Sequence, residues 1–209
     1  MSGGQPPGRA GRLWLVRRLA VADRGAEVLD RKLRILRHEQ ERLRLLEART
    51  SREWTASCLE ARRWLERAVV LGGQRGLERA CPEQVADVQL AWRYEMGVRY
   101  AEPVACDLPE PLAAGAPPGS AALVEAERAH RAAAQAAVRH ACAQAALRTI
   151  EAEVASTHRR WRALTHRVVP DLRARLAQVV LSLEQLERED TLRLRWAAGR
   201  GASSDRSPG

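Results

Sequence analysis

From Arg12 to Leu71 the chain carries no proline, and its apolar residues recur at alternating steps of four and three. The series Leu15, Leu19, Ala22, Ala26, Leu29, Leu33, Leu36, Gln40, Leu43, Glu47, Thr50, Trp54, Ser57, Ala61, Trp64, Ala68 and Leu71 traces one narrow stripe along a helix. A stripe of this kind stays wet on an isolated helix, so it requires a partner helix with a matching stripe. At 1.5 Å per residue the helix would extend ~90 Å.

The partner is found near the other end of the chain. From Ala121 to Ala197 a second stripe reads Ala122, Ala126, Ala129, Ala133, Ala136, His140, Ala143, Leu147, Ile150, Val154, Thr157, Trp161 and Leu164. It continues through Val168, Leu172 and Leu176 by successive steps of four, then resumes at Val179, Leu183 and Leu186. The run of fours is a stutter, which locally relaxes a left-handed supercoil. Pro170 lies within it, and a proline inside a helix costs roughly 3 kcal/mol, so a kink or missing hydrogen bond is expected near residue 166. Ser120 is placed to cap the start of this helix.

Between the helices the pattern changes. Gly72, Gly73 and Gly76 end the first stripe, and residues 77–80 suit a short helical piece. Val88, Leu90, Trp92 and Tyr94 then alternate with polar or small residues, Met96-Gly97 forms a turn, and Val98, Tyr100, Val104 and Cys106 continue the alternation. This predicts a β-hairpin over about 85–106, with Pro103 on an edge. The expected organisation is a flexible tail (1–11), a first coiled-coil helix (12–72), a middle region with the hairpin and a Pro/Gly linker (73–120), a second coiled-coil helix (121–197) and a disordered tail (198–209). The fold class is therefore mainly α: two long helices in an antiparallel coiled coil with a small β-hairpin insert. Leu29, Leu36, Leu43, Leu147, Ile150, Val154, Leu164 and Leu183 are its candidate core, with Trp54 and Trp64 expected against small alanines.

Composition supports a slim core. Phenylalanine is absent and aromatic residues are 4% of the chain, while 29% of residues are charged. That mixture suits long helices better than a wide globular core. The formal net charge of +9 favours anionic partners. The four cysteines are scattered with no Cys-x-x-Cys pair, so reduced thiols are expected. Arg17-Arg18 is followed by only four apolar residues, too few for a signal-peptide core, and no stretch approaches the ~18–20 apolar residues that span a bilayer.

Catalytic chemistry is not indicated. The five histidines form no i,i+4 pair, and Gly72-Gly73-Gln74-Arg75-Gly76 ends a helix instead of following a strand as a phosphate loop would. Carboxylates alternate with arginines as on a solvated, salt-bridged face. No catalytic residue, cofactor or metal site is expected. The basic residues Arg12, Arg17, Arg18 and Arg24 near one end, and Arg188, Arg193, Arg195 and Arg200 near the other, would meet at one tip of a helical hairpin. Alone they would also suit a basic coiled-coil adaptor or a nucleic-acid-associated helical protein, although base-stacking aromatics beside them are not evident.

Several segments carry a resemblance. Pro7, Arg9, Leu13, Leu15, Arg18, Leu19, Ala22, Gly25, Leu29 and Lys32 open the chain; Met96-Gly97-Val98 lies at the turn; Arg159-Arg160, Ala163-Leu164, Val169-Pro170 and Leu172 follow; Glu187-Arg188-Glu189-Asp190 with Arg193-Leu194-Arg195 closes it. In order and spacing these resemble the D subunit of V/A-type rotary ATPases. Val28, Asp30, Leu33, Trp161, Arg162, Thr165, Thr191 and Leu192 depart from the family's pattern. The resemblance implies a non-catalytic rotor shaft, or central stalk, coupling ATP hydrolysis or synthesis to proton or sodium transport. It implies contact of a head-facing tip (Arg17, Arg18, Arg24, Lys32, Arg188, Arg193, Arg195) with catalytic A and B subunits. The middle region (Met96, Gly97, Val98) would bind the small F subunit of the stalk, and the lower end would dock on the C subunit (also called d) of the membrane rotor ring. It also implies a peripheral place on the cytoplasmic face of a membrane, with no nucleic acid and no direct membrane insertion.

Overall fold

A computed structural model of the chain describes residues 6–80, 85–110 and 120–204. They are mainly helical: α1 (Gly8–Ala80), strands β1 (Asp87–Glu95) and β2 (Val98–Asp107), α2 (Ala121–Ala163), a π turn (Leu164–Val168) and α3 (Val169–Ser204). The helical boundaries differ from the expected ones at three places. α1 begins at Gly8, directly after Pro7, so residues 8–11 are counted in the helix. It reaches Ala80, past the expected stop, but Gly73 inside it has φ 66° and ψ 174°, a conformation essentially confined to glycine. α3 continues to Ser204, beyond the expected end at 197. The expected tails at residues 1–5 and 205–209, and linker residues 111–119, lie outside the described residues.

The chain divides into two compact units, one of residues 1–31 and 157–209, the other of residues 32–156. In the first, Leu15 and Ala22 of α1 are buried with Val169 and Leu172 of α3, flanked by Trp14, Leu19, Leu164, Leu176 and Val179. Arg9 pairs with Glu187 at 3.0 Å and Asp23 with Arg173 at 3.4 Å, so rising numbers on α1 meet falling numbers on α3. Gly25 allows a close approach, since a Cβ there would come 3.3 Å from Leu164 Cδ2.

The π turn corrects the expected stripe. Val168, expected on the seam, is exposed, and Val169 is buried instead. The Val169 N–H donates to the Leu164 carbonyl, five residues back, so one turn consumes an extra residue and the seam steps from Leu164 to Val169 to Leu172. Pro170 follows at once. The wide turn accommodates the residue that cannot donate a backbone hydrogen bond, near residue 166 where a kink or a missing hydrogen bond was expected.

In the second unit, Leu36, Leu43, Ala146 and Ile150 form the main cluster, with Leu46, Leu147 and Val154 packed on it. Lys32 meets Glu153 at 2.7 Å, Arg44 meets Glu151 at 3.0 Å, and Thr50 lies 3.4 Å from His140, again rising against falling. A second cluster joins Ala68 to Ala122 and Ala126, with Trp64 and Leu123 over it. Ser120 caps α2, its Oγ accepting from the Leu123 N–H at 3.2 Å. Trp64 thus packs against alanines. Trp54 does not: it stacks on the His140 ring at 5.2 Å and stays 38% exposed, because the small residue expected opposite it is a histidine.

Candidate partner-binding surfaces

The hairpin turns at Met96-Gly97, where both residues take positive φ (48° and 80°). A two-residue turn with φ > 0 at both positions matches the twist of paired strands, and Gly97 supplies the second position without strain. It sets the register: Glu95 faces Val98, Arg93 faces Tyr100 and Trp92 faces Ala101. Partners opposite each other share a face of the sheet. Val98, Tyr100 and Glu102 therefore lie on one face, and Leu90, Trp92 and Tyr94 lie on the other.

The first face is buried at Val98 and Tyr100. Val98 and Tyr100 join the Leu36–Leu43–Ile150 cluster, Tyr100 being only 2% exposed. The Tyr100 hydroxyl donates to Glu39 Oε1 at 2.5 Å, and Arg42 donates to the same carboxylate from Nε at 2.9 Å and Nη2 at 2.7 Å. Arg42 also reaches Glu102 at 3.7 Å, which pairs with Arg93 at 3.4 Å. The Arg42 fork, with help from the Tyr100 hydroxyl, holds the Glu39 carboxyl below its ordinary range against the opposing effect of burial. Burial, then the hydrogen bond to Glu39, pushes the Tyr100 phenol up to about 12. Glu39 also holds the Arg42 guanidinium more firmly charged than usual. A buried carboxylate so completely paired is tolerated where an unpaired one would not be.

The second face points outward. Val88, Leu90, Trp92, Tyr94 and Met96 are all exposed, with Arg99 stacked over the Trp92 ring at 3.8 Å. Val98, expected as a partner-binding residue, is a core residue, because the two-residue turn points it at the helices. Met96 and Gly97 are exposed at the tip. Glu39, Arg42 and Tyr100 were not anticipated as the anchor, and the outward face of β1 was not singled out. The odd sum of facing residue numbers (95 and 98) is the signal that separates the two apolar sets.

The expected tip residues divide between the two units. Arg17, Arg18 and Arg24 on α1 and Arg188, Arg193 and Arg195 on α3 belong to the first unit and are exposed, with Arg18 lying over the Trp14 ring at 4.9 Å. Arg188 and Arg193 pair within their own helix with Glu184, Glu189 and Asp190. Lys32 belongs to the second unit, where its ammonium pairs with Glu153 at 2.7 Å, both side chains half-buried. Of the candidate core residues, Leu36, Leu43 and Ile150 are buried, while Leu29, Leu147, Val154, Leu164 and Leu183 are half-buried. Leu183 lines an open cleft of about 560 Å³ with Arg9, Leu13, Val16, Val180 and Glu187. Among the described residues no three His, Cys, Asp or Glu side chains gather as a metal site would need, and no helix is long and apolar enough to cross a membrane.

Residues 13–199 match the family model of the ATP synthase D subunit. The chain belongs to the ATP synthase D-subunit family. Similar proteins include the V-type ATP synthase D subunits of two strains of Thermus thermophilus, each 42% identical over 77 residues. That stretch is 37% of this chain and 34% of each relative, so the match spans about a third of the relatives' length. For a member of this family, the paired helical stretches and the hairpin seated on α1 are the features from which a role has to be argued.

Proposed function

We propose that the chain is the non-catalytic central-stalk subunit of a V-type rotary ATPase or ATP synthase, with its long helices wound as an antiparallel coiled coil. The observation that carries this reading is the ladder of cross-contacts in each unit, where α1 numbers rise as those of α2 and α3 fall, in a chain of the ATP synthase D-subunit family. A shaft transmits torque only if its strands cannot slide past each other. Ion pairs and apolar seams repeated along both units oppose that sliding. ATP chemistry would belong to the surrounding A and B subunits, and proton or sodium transport to the membrane sector. The basic residues of the first unit would face the A/B head, the outward hairpin face would take the small F subunit, and another part would rest on the C (or d) subunit. The complex would sit on the cytoplasmic face of a membrane, with this chain peripheral to it and without nucleic acid.

A tagged pull-down of the full chain from its native cell tests this. Co-purification of A, B and F subunits with ATP hydrolysis in the eluate is expected, A and B each in several copies per copy of this chain. Recovery of nucleic acid, or of an unrelated helical partner without ATPase subunits, would overturn it in favour of an adaptor.

A further inference from the structure

We infer that the β-hairpin is a hinged arm, latched to α1 near its tip by Tyr100 and able to lift off the paired helices while they stay wound. The inference goes beyond the stalk reading and stands or falls without it. The seat of the hairpin is small. Among the described residues of β1 and β2 only Val98 and Tyr100 are buried. Every residue of β1 except Glu95 is exposed, on both faces of the strand alike. The helices of the same unit are joined by Leu36, Leu43, Ala146 and Ile150, and further along by Ala68, Ala122 and Ala126. An element held by two side chains opens at a lower free energy than a seam of that length.

The chemistry of the seat permits release. Glu39 is the buried charge beneath the hairpin, and Arg42, three residues on in the same helix, donates to it at 2.9 and 2.7 Å. That ion pair is made within α1 and persists when the hairpin leaves. Lifting forfeits the Tyr100 hydrogen bonds, 2.5 Å to Glu39 and 3.5 Å from Arg42, and a 3.7 Å pair of Arg42 with Glu102. No carboxylate is stranded. Had the cation facing Glu39 stood on the hairpin, departure would leave an uncompensated charge, which is strongly destabilising, and the arm would be fixed in place.

The two ends of the arm are held differently. Val98 and Tyr100 latch it beside the Met96-Gly97 turn, whereas Arg131 of α2 donates to the Pro109 carbonyl just past β2, a tie that lifting the tip does not break. Between them the ladder shifts register at Gln89 and Leu90, which face Ala105 and Pro103. A proline supplies no N–H to the ladder and an extra residue bends a strand, so this is where the arm flexes. The side-chain links within the hairpin do not cross that point. Gln89 meets Asp107 at 3.2 Å on the base side, and Arg93 meets Glu102 at 3.4 Å on the tip side. Once lifted, the tip half is a two-stranded ribbon with nothing beneath it, marginal in water, so its cross-strand amides exchange.

Native-state hydrogen exchange of the purified full chain, in water and at low urea, tests this. Amides of residues 90–101 should exchange at least about a hundredfold faster than those of residues 36–46 and 143–154, with a weaker urea dependence, since lifting exposes less surface than unwinding. Tyr100→Phe should accelerate the hairpin amides about tenfold, the factor for a hydrogen bond to a charged group, and leave their weak urea dependence unchanged. Hairpin amides that share the rate and urea dependence of the helices would overturn the arm, because the hairpin would then open only with the coil. Fast exchange that Tyr100→Phe does not alter would overturn the latch, because β1 would be peeling from a β2 that stays seated.

Discussion

Glu39 occupies the buried face of α1 between Leu36 and Leu43, and Tyr100 and Arg42 make that position tolerable for a carboxylate. Removing the phenolic oxygen alone is a clean perturbation. Tyr100→Phe keeps the ring in the core and leaves Glu39 with the Arg42 fork, so the loss is the hydrogen bond to a charged acceptor together with a longer one, at 3.5 Å, that the hydroxyl accepts from Arg42. A destabilisation of about 1.5 kcal/mol is expected, read from urea unfolding. The advantage of Tyr over Phe should vary with pH in a defined way. Tyr100 is raised from 10.0 to about 12, so its contribution is whole below pH 10 and fades as pH rises from 10 towards 12. Glu39 is lowered from 4.5, so its contribution is whole above pH 4.5 and is lost as pH falls further. The difference between the two proteins should therefore be flat from about pH 5 to 9 and shrink on both sides. A difference that kept growing above pH 10 would contradict the anchor.

Among the elements, the π turn makes the sharpest prediction. Leu164 and Val169 share the buried face because five residues fill a turn that four would ordinarily fill. Deleting one exposed residue from that turn, such as Arg167, should convert it to regular α-helix without rotating Val169 and Leu172 off the seam. The obstacle is Pro170, which would then sit in an ordinary helix interior. Deletion of Arg167 alone should cost roughly 3 kcal/mol, and adding Pro170→Ala should recover most of it. Thermal unfolding of the two variants checks this, and equal loss in both would mean the extra residue serves another purpose. At the same level stands Gly25, whose absent Cβ leaves 3.3 Å to Leu164 Cδ2. Gly25→Val should overpack this approach by about 1–3 kcal/mol, measured by the same unfolding.

For the molecule as a whole, the apolar clusters are local to the unit that holds them. Leu172→Ala opens a cavity in the first unit and Ile150→Ala in the second, each at about 2–5 kcal/mol. Amide exchange should accelerate chiefly in residues 8–31 and 157–204 for the former, and in residues 32–156 for the latter. Uniform acceleration along the chain in both variants would show that the two units open together.

The two long helical stretches, the break at Gly73, the hairpin with its Met96-Gly97 turn and the Ser120 cap could all be read from the residues alone. Each rests on local chemistry: a periodicity, a glycine-only dihedral, a side chain within reach of its own backbone. Trouble near residue 166 was legible too, because a proline removes a donor wherever it stands. Which side lies inside at the π turn and in the hairpin was settled only by packing. The extra residue of the π turn moved burial from Val168 to Val169, an outcome that depends on α1 packing opposite. The odd register of the hairpin turned Val98 and Tyr100 onto the helices and Trp92 and Tyr94 outward, since a pleated strand offers two faces and only the neighbouring core chooses between them. Lys32 reads as one more surface cation until Glu153, 121 residues away, is brought to 2.7 Å from it. Pairings across such distances in the chain leave no periodic trace, because they depend on two helices meeting in one register.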